Sequence, residues 1–219
     1  MDAGHRRFRV KEPRHPTYIV VLCVHWPALV QVQDQVAEKV GLSHRERYFP
    51  HVTLCGPFSL APGVDPVSLL DRALRPLSAP GVVHPGDLHV FEGDRGLAVS
   101  FLLREDQELT ACTRAINQAL SPYFRKCNHI DIPPSQRILH VSVAVNLTRE
   151  KGQQVLSLAR DIGREIDPGD GAFPGDELPR ALRLAIIRRG SLWKAYDFTR
   201  KKWIGRSGMF QAGGPARRW

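Results

Sequence analysis

Cysteine is scarce in this chain. Among 219 residues there are four, Cys23, Cys55, Cys112 and Cys127, widely separated and never paired as CxxC. That spacing argues against a disulfide framework or a thiolate-held zinc ion. It predicts reduced, buried thiols in a cytosolic protein. No HxH or HExxH pattern offers a metal site of another kind, so neither metal nor cofactor is expected. Long apolar runs are also missing. Nothing approaches the roughly 18 consecutive residues of a membrane-spanning helix, so no membrane association is expected. The opening Met1–Arg7 is basic but no apolar signal core follows it, and secretion is not expected. Acidic residues are nearly absent from the last part of the chain. Residues 180–219 hold 11 Lys/Arg against the single acid Asp197, a net +10, whereas the remainder is close to neutral and the whole carries +9. That section is the expected footprint for a polyanion such as RNA.

What is present is a repeated short pattern. His51-Val52-Thr53-Leu54 and His140-Val141-Ser142-Val143 both read histidine, apolar, hydroxyl, apolar, 89 positions apart. Both lie in apolar, β-branched runs, the composition of strands. Side chains alternate along a strand. His51 therefore shares a face with Thr53, and His140 with Ser142, while the apolar partners turn the other way. If the two strands lie side by side, two imidazoles and two hydroxyls meet in one cleft.

That set suits phosphodiester chemistry. An imidazole titrates near neutrality and can take or give a proton. One neutral histidine can deprotonate the attacking hydroxyl or water, and one protonated histidine can supply the departing oxygen. Thr53 and Ser142 can hydrogen-bond the anionic centre between them.

The duplicated His-x-Thr/Ser-x resembles the 2H phosphoesterase superfamily, over roughly residues 17–199. That superfamily embraces 2′-5′ RNA ligase-like proteins, cyclic nucleotide phosphodiesterases and RNA 3′-end trimming enzymes of the U6-processing type. The resemblance implies His51 and His140 as catalytic residues and Thr53 and Ser142 as substrate-binding residues. It also implies an α+β fold of two lobes with antiparallel-rich sheets and flanking helices, related by a pseudo-twofold axis around a central cleft. The implied activity is metal-independent hydrolysis of RNA ends or 2′,3′-cyclic phosphates. Within that class, 3′-to-5′ trimming of RNA by transesterification is the rival. Some relatives carry a cation just after the second motif. Here Ala144-Val145-Asn146 stand there, which leans away from ligase-type substrate handling. Two readings from other classes stay open. The cleft could bind a nucleotide or RNA end without turnover, or the histidines could be zinc ligands awaiting a third.

In chain order, residues 1–16 read as a flexible basic arm, 17–204 as one bilobal domain and 205–219 as a disordered basic tail. Tyr18–Val24 is a strand buried on both faces. Pro27 opens a helix with the stripe Leu29, Val32, Val36, Ala37 and Val40, stopped by Gly41. The loop 43–50 brings Arg45, Arg47 and Tyr48 close to the first motif, where the cations could meet phosphate. Phe58 could stack on a base or belong to the core. Asp65-Pro66 starts a second helix. Residues 88–91 and 97–103 flank a turn-rich tetrapeptide and form a hairpin. A helix over 106–120 follows, then a loop over 128–136 that includes His129. Next come a motif strand Ile138–Val145, a helix capped by Thr148, and a loop over 167–176. A last hairpin turns at Gly190-Ser191. Its Trp193, Tyr196 and Trp203 stand among cations, a pattern that can bind single-stranded nucleic acid or simply pack. His84 and His89 belong to no repeat and are read as structural or exposed. A cytoplasmic monomer is expected, nuclear if the source is eukaryotic.

Overall fold

The computed structural model describes residues 17–93, 95–104, 106–127, 137–166 and 179–205. The N-terminal arm, the loop with His129, the segment 167–176 and the tail from 206 lie outside these residues.

Local sequence chemistry accounts for most element boundaries. Strand β1 (Tyr18–His25) is buried on both faces along most of its length, as its apolar run requires. Helix α1 (Pro27–Val40) begins at Pro27 and ends where Gly41 adopts a left-handed conformation and returns its N–H to the helix. Strand β2 (His51–Leu60) carries the first motif. Helix α2 (Pro66–Leu74) is capped by the Asp65 carboxylate, which accepts from the N–H groups of Val67 and Ser68, both at 3.2 Å. Such a cap contributes about 1 kcal/mol. Strands β3 (Pro85–Gly93) and β4 (Gly96–Leu103) form the expected hairpin. Helix α3 (Gln107–Leu120) is capped by Asp106, and a short 3-10 turn leads to β5 (Phe124–Cys127). The second motif opens β6 (His140–Leu147), two residues later than its apolar run suggests. Thr148 caps α4 (Arg149–Ile166), and β7 (Arg180–Arg188), β8 (Ser191–Asp197) and β9 (Lys202–Gly205) complete the chain.

The last hairpin turns one residue earlier than expected. Arg188 pairs with Ser191, so Arg189 and Gly190 form the turn, both with positive φ (52° and 75°). Positive φ at both central positions is the type I′ turn, whose twist matches that of the flanking strands, and here Arg189 takes the first of them without being glycine.

Among the described residues the fold is α+β, four helices on a nine-stranded antiparallel sheet. The strand path is β3-β4-β6-β2-β1-β7-β8-β9, with β5 added beside β2. It divides into two wings. The wing β3-β4-β6 carries α1 packed on α4, and the wing containing β2 and β1 carries α2 packed on α3. They join at the β2–β6 seam, where the register is the pair Val52–Val141. The wings are not the two halves of the sequence, because β1 and β2 belong to one wing and the intervening α1 packs with the other.

One core runs beneath both wings. Phe58 lies within it, against Tyr18 and Phe124, so it is not available to a base. The C-terminal aromatics also serve packing. Tyr196 is fully buried between Phe198 and Trp203, and the Arg188 guanidinium lies over the rings of Tyr18 and Trp193. Lys201 Nζ donates to the carbonyl of Leu77. Arg188 and these rings tie β1, β7, β8 and β9 together, while Lys201 reaches the chain that follows α2.

Candidate active site

Val52 and Val141 are wholly buried, pointing down into the core. The alternation of a strand therefore turns His51, Thr53, His140 and Ser142 to the opposite face, and all four are half-buried there. The strands run antiparallel, with Val52 facing Val141. One step along each strand brings His51 opposite Ser142, and one step the other way brings Thr53 opposite His140. Each imidazole thus stands across from the hydroxyl of the other motif. The four groups thus project from neighbouring strands on one side of the seam, and His51 and His140 are near enough for the charge of one to act on the other. The structure brings together all four residues that the motifs single out.

The two histidines have matching surroundings. His51 Nδ1 lies 2.8 Å from the carbonyl oxygen of Phe49, and His140 Nδ1 lies 3.1 Å from that of Ile138. A carbonyl only accepts, so in each ring Nδ1 carries the hydrogen and donates. Nε2 is left to exchange protons with a substrate. Each ring also rests on a phenylalanine, Phe49 for His51 and Phe91 for His140, at the same centroid separation of 4.6 Å and the same tilt of 35°. Tyr48 and Ile138, two of the few large apolar side chains exposed to solvent among the described residues, flank the pair. Tyr48 meets the His51 ring edge-on.

Burial pushes both imidazoles below the ordinary histidine range, because the charged form loses solvation. The bond to the backbone carbonyl works against this in each case. The neighbouring charge of His140 lowers His51 further, and that of His89 lowers His140. His89 faces the same side of the sheet, two strands from His140, and touches Phe91 edge-on. Its proximity to the site is not legible in the motif pattern.

Sequence reading also missed the residues that hold the motif strands in place. The seam offers few ladder bonds, so carbonyls on both inner strands need other donors. The buried Gln33 amide of α1 donates to the carbonyls of Ser142 and Tyr48, each at 3.0 Å. The buried Asn117 amide of α3 donates at 3.2 Å to the carbonyl of Leu54, which also accepts from Arg137. Ser100 of β4 faces Ser142 in register, and their hydroxyl oxygens are 3.0 Å apart. A buried amide on an otherwise apolar helix stripe was the available signal.

The loop before β2 is anchored, not simply solvated. Val145 N donates to the carbonyl of Glu46, Asn146 Nδ2 to that of Arg45, and Lys151 Nζ to the Glu46 carboxylate. Arg47 is engaged by Asp34. The contacts run from the loop to β6, α4 and α1, so the wing that carries His140 also fixes the approach to His51. The thiols are no part of this chemistry. Burial pushes Cys23, Cys55 and Cys112 up to about 12. Among the described residues, no group of three or more His, Cys, Asp or Glu could hold a metal ion.

No protein-family model and no curated protein sequence matches the chain. Among solved structures it is similar to Usb1 of Kluyveromyces marxianus with uridine monophosphate, at 16% identity over 81% of this chain and 96% of that one, with a TM-score of 0.43. A second structure of Kluyveromyces marxianus Usb1 matches at 16% identity over 80% and 95%, with a TM-score of 0.42. The chemistry has to come from the residues of the site itself.

Proposed function

We propose that this protein is a phosphodiesterase of the two-histidine type, acting on RNA ends or 2′,3′-cyclic phosphates. One observation carries this reading. Two imidazoles, each with Nδ1–H committed to the carbonyl two residues earlier, stand on adjacent antiparallel strands with a hydroxyl opposite each.

In the proposed reaction the phosphate sits between the strands, its non-bridging oxygens accepting from Thr53 and Ser142. One histidine enters neutral. Its Nε2 takes a proton from water as the water oxygen bonds to phosphorus. The other enters protonated, and its Nε2–H passes to the ribose oxygen as the phosphorus–oxygen bond breaks. One proton is gained and one lost, so the pair ends with its charge unchanged and the two roles exchanged. Both proton transfers are covered by the imidazoles, so the step calls for no metal ion. With a ribose 2′-hydroxyl in place of water, the same groups would trim an RNA end by transesterification. The anchored loop places Tyr48 at the rim, where its ring can meet the base.

The test is a panel of nucleoside 2′,3′-cyclic phosphates and 3′-modified oligoribonucleotides. Turnover should survive EDTA, and His51→Ala or His140→Ala should each lower kcat about 10²–10⁴-fold. Product analysis separates hydrolysis from trimming. Full activity in the protein carrying both substitutions would sink the proposal.

A further inference from the structure

The pseudo-twofold relation at the seam does not extend to the neighbours of the two hydroxyls. Thr53 and Ser142 are equivalent about the Val52–Val141 pair, but their outer neighbours differ. On β1 the residue in register with Thr53 is Val21. On β4 the residue in register with Ser142 is Ser100, whose hydroxyl lies 3.0 Å from that of Ser142. Ser100 is fully buried. A buried hydroxyl needs a partner, and among the described residues Ser142 is the one it has.

A serine hydroxyl has one proton to donate. In the Ser100–Ser142 pair either oxygen can be the donor while the site is empty. An anion on the outer side of Ser142 removes that freedom. The Ser142 proton must then point at the anion, so Ser100 must donate to Ser142. Hydrogen bonds in such a chain polarise one another, and the terminal donor is strengthened. Val21 can do nothing of the kind for Thr53.

We propose that Ser100 is a positioning residue that fixes the direction of the Ser142 hydroxyl and makes it the stronger of the two donors to the phosphate. This rests on the phosphodiesterase reading above. The non-bridging oxygen held by Ser142 is therefore the one on which negative charge builds most in the transition state. The site that looks symmetric in its histidines is directional in its hydroxyls. A substrate phosphate enters with one non-bridging oxygen assigned to each side.

The test uses the two diastereomers of uridine 2′,3′-cyclic phosphorothioate, in which sulfur, a weak acceptor, replaces one non-bridging oxygen or the other. Wild-type protein should turn over one diastereomer faster, disfavouring the one that directs sulfur at Ser142. Ser100→Ala should lower kcat on the oxygen substrate about tenfold with KM little changed, and should shrink the preference between diastereomers. Ser100→Thr, which keeps the hydroxyl, should restore both. Ser142→Ala should lose more, and adding Ser100→Ala to it should cost nothing further. Ser100→Cys, close in size and a weak donor, serves if the alanine variant does not fold. An unchanged diastereomer preference in Ser100→Ala, or in Ser100→Cys where that variant stands in for it, or additive losses in the double variant, would overturn the relay alone. A wild-type protein that cleaves neither these substrates nor any member of the panel above would overturn the phosphodiesterase reading, and the relay with it.

Discussion

Val52 faces Val141 across the seam between β2 and β6, and from that pair both histidines and both hydroxyls take their places. The ladder there is short. What keeps the strands aligned is the set of buried amides behind them, with Gln33 on one wing and Asn117 on the other.

Replacing Gln33 by leucine should therefore be costly. It would strand the Ser142 and Tyr48 carbonyls, at about 1–3 kcal/mol for unsatisfied buried groups. Urea denaturation should show that loss, and kcat should fall more than KM rises. Gln31→Ala, on the exposed side of the same helix, should stay within about 0.5 kcal/mol of wild type.

The pH dependence of kcat/KM should be bell-shaped with its optimum on the acid side of 6.5. Both imidazoles are depressed below that ordinary value. One must be neutral and the other charged, so the maximum lies between their two apparent values. His89→Gln removes a charge that lowers His140, so the limb belonging to His140 should move upward. If the alkaline limb moves, His140 is the acid; if the acid limb moves, it is the base. An optimum above neutrality would contradict the burial of the two rings.

The same depression sets a stability window. In the unfolded chain each histidine titrates near 6.5, and in the folded protein lower. Between those values the unfolded chain binds more protons. Stability is thus fully present above about 6.5 and is lost as pH falls through the folded values. The urea midpoint should drop between pH 7.5 and 5.5, and the drop should flatten when His51 and His140 are both glutamine. Glu46, held below its usual 4.5 chiefly by the Ser43 backbone N–H, adds a separate loss at lower pH.

Alkylation should be slow in the native protein. With burial pushing Cys55 and Cys112 up to about 12, iodoacetamide at pH 8 should leave both unmodified until denaturant is added. Mass spectrometry of tryptic fragments reads this directly. Rapid native labelling of either residue would contradict its place in the core.

Much of this was legible in the residues. Pro27, Gly41, Asp65 and Thr148 mark helix ends by local chemistry, and each does so in the structure. The motifs were legible because period-two alternation needs no tertiary information. Ser100, Gln33 and Asn117 were not assigned, since each acts on a group remote in sequence, and a polar residue in an apolar stripe does not say which group it serves. Composition counts charges but cannot tell that Arg188 is spent on two aromatic rings. Nor can periodicity show that consecutive elements are dealt to different wings.

That dealing has a consequence for the molecule as a whole. Because the chain shuttles from one wing to the other and back, no single cut releases either wing intact. Any contiguous fragment bearing one histidine leaves behind a helix or strand that its own wing requires. Acid and base are thereby tied to a common fate, and an opening that spoils the setting of one imidazole spoils that of the other.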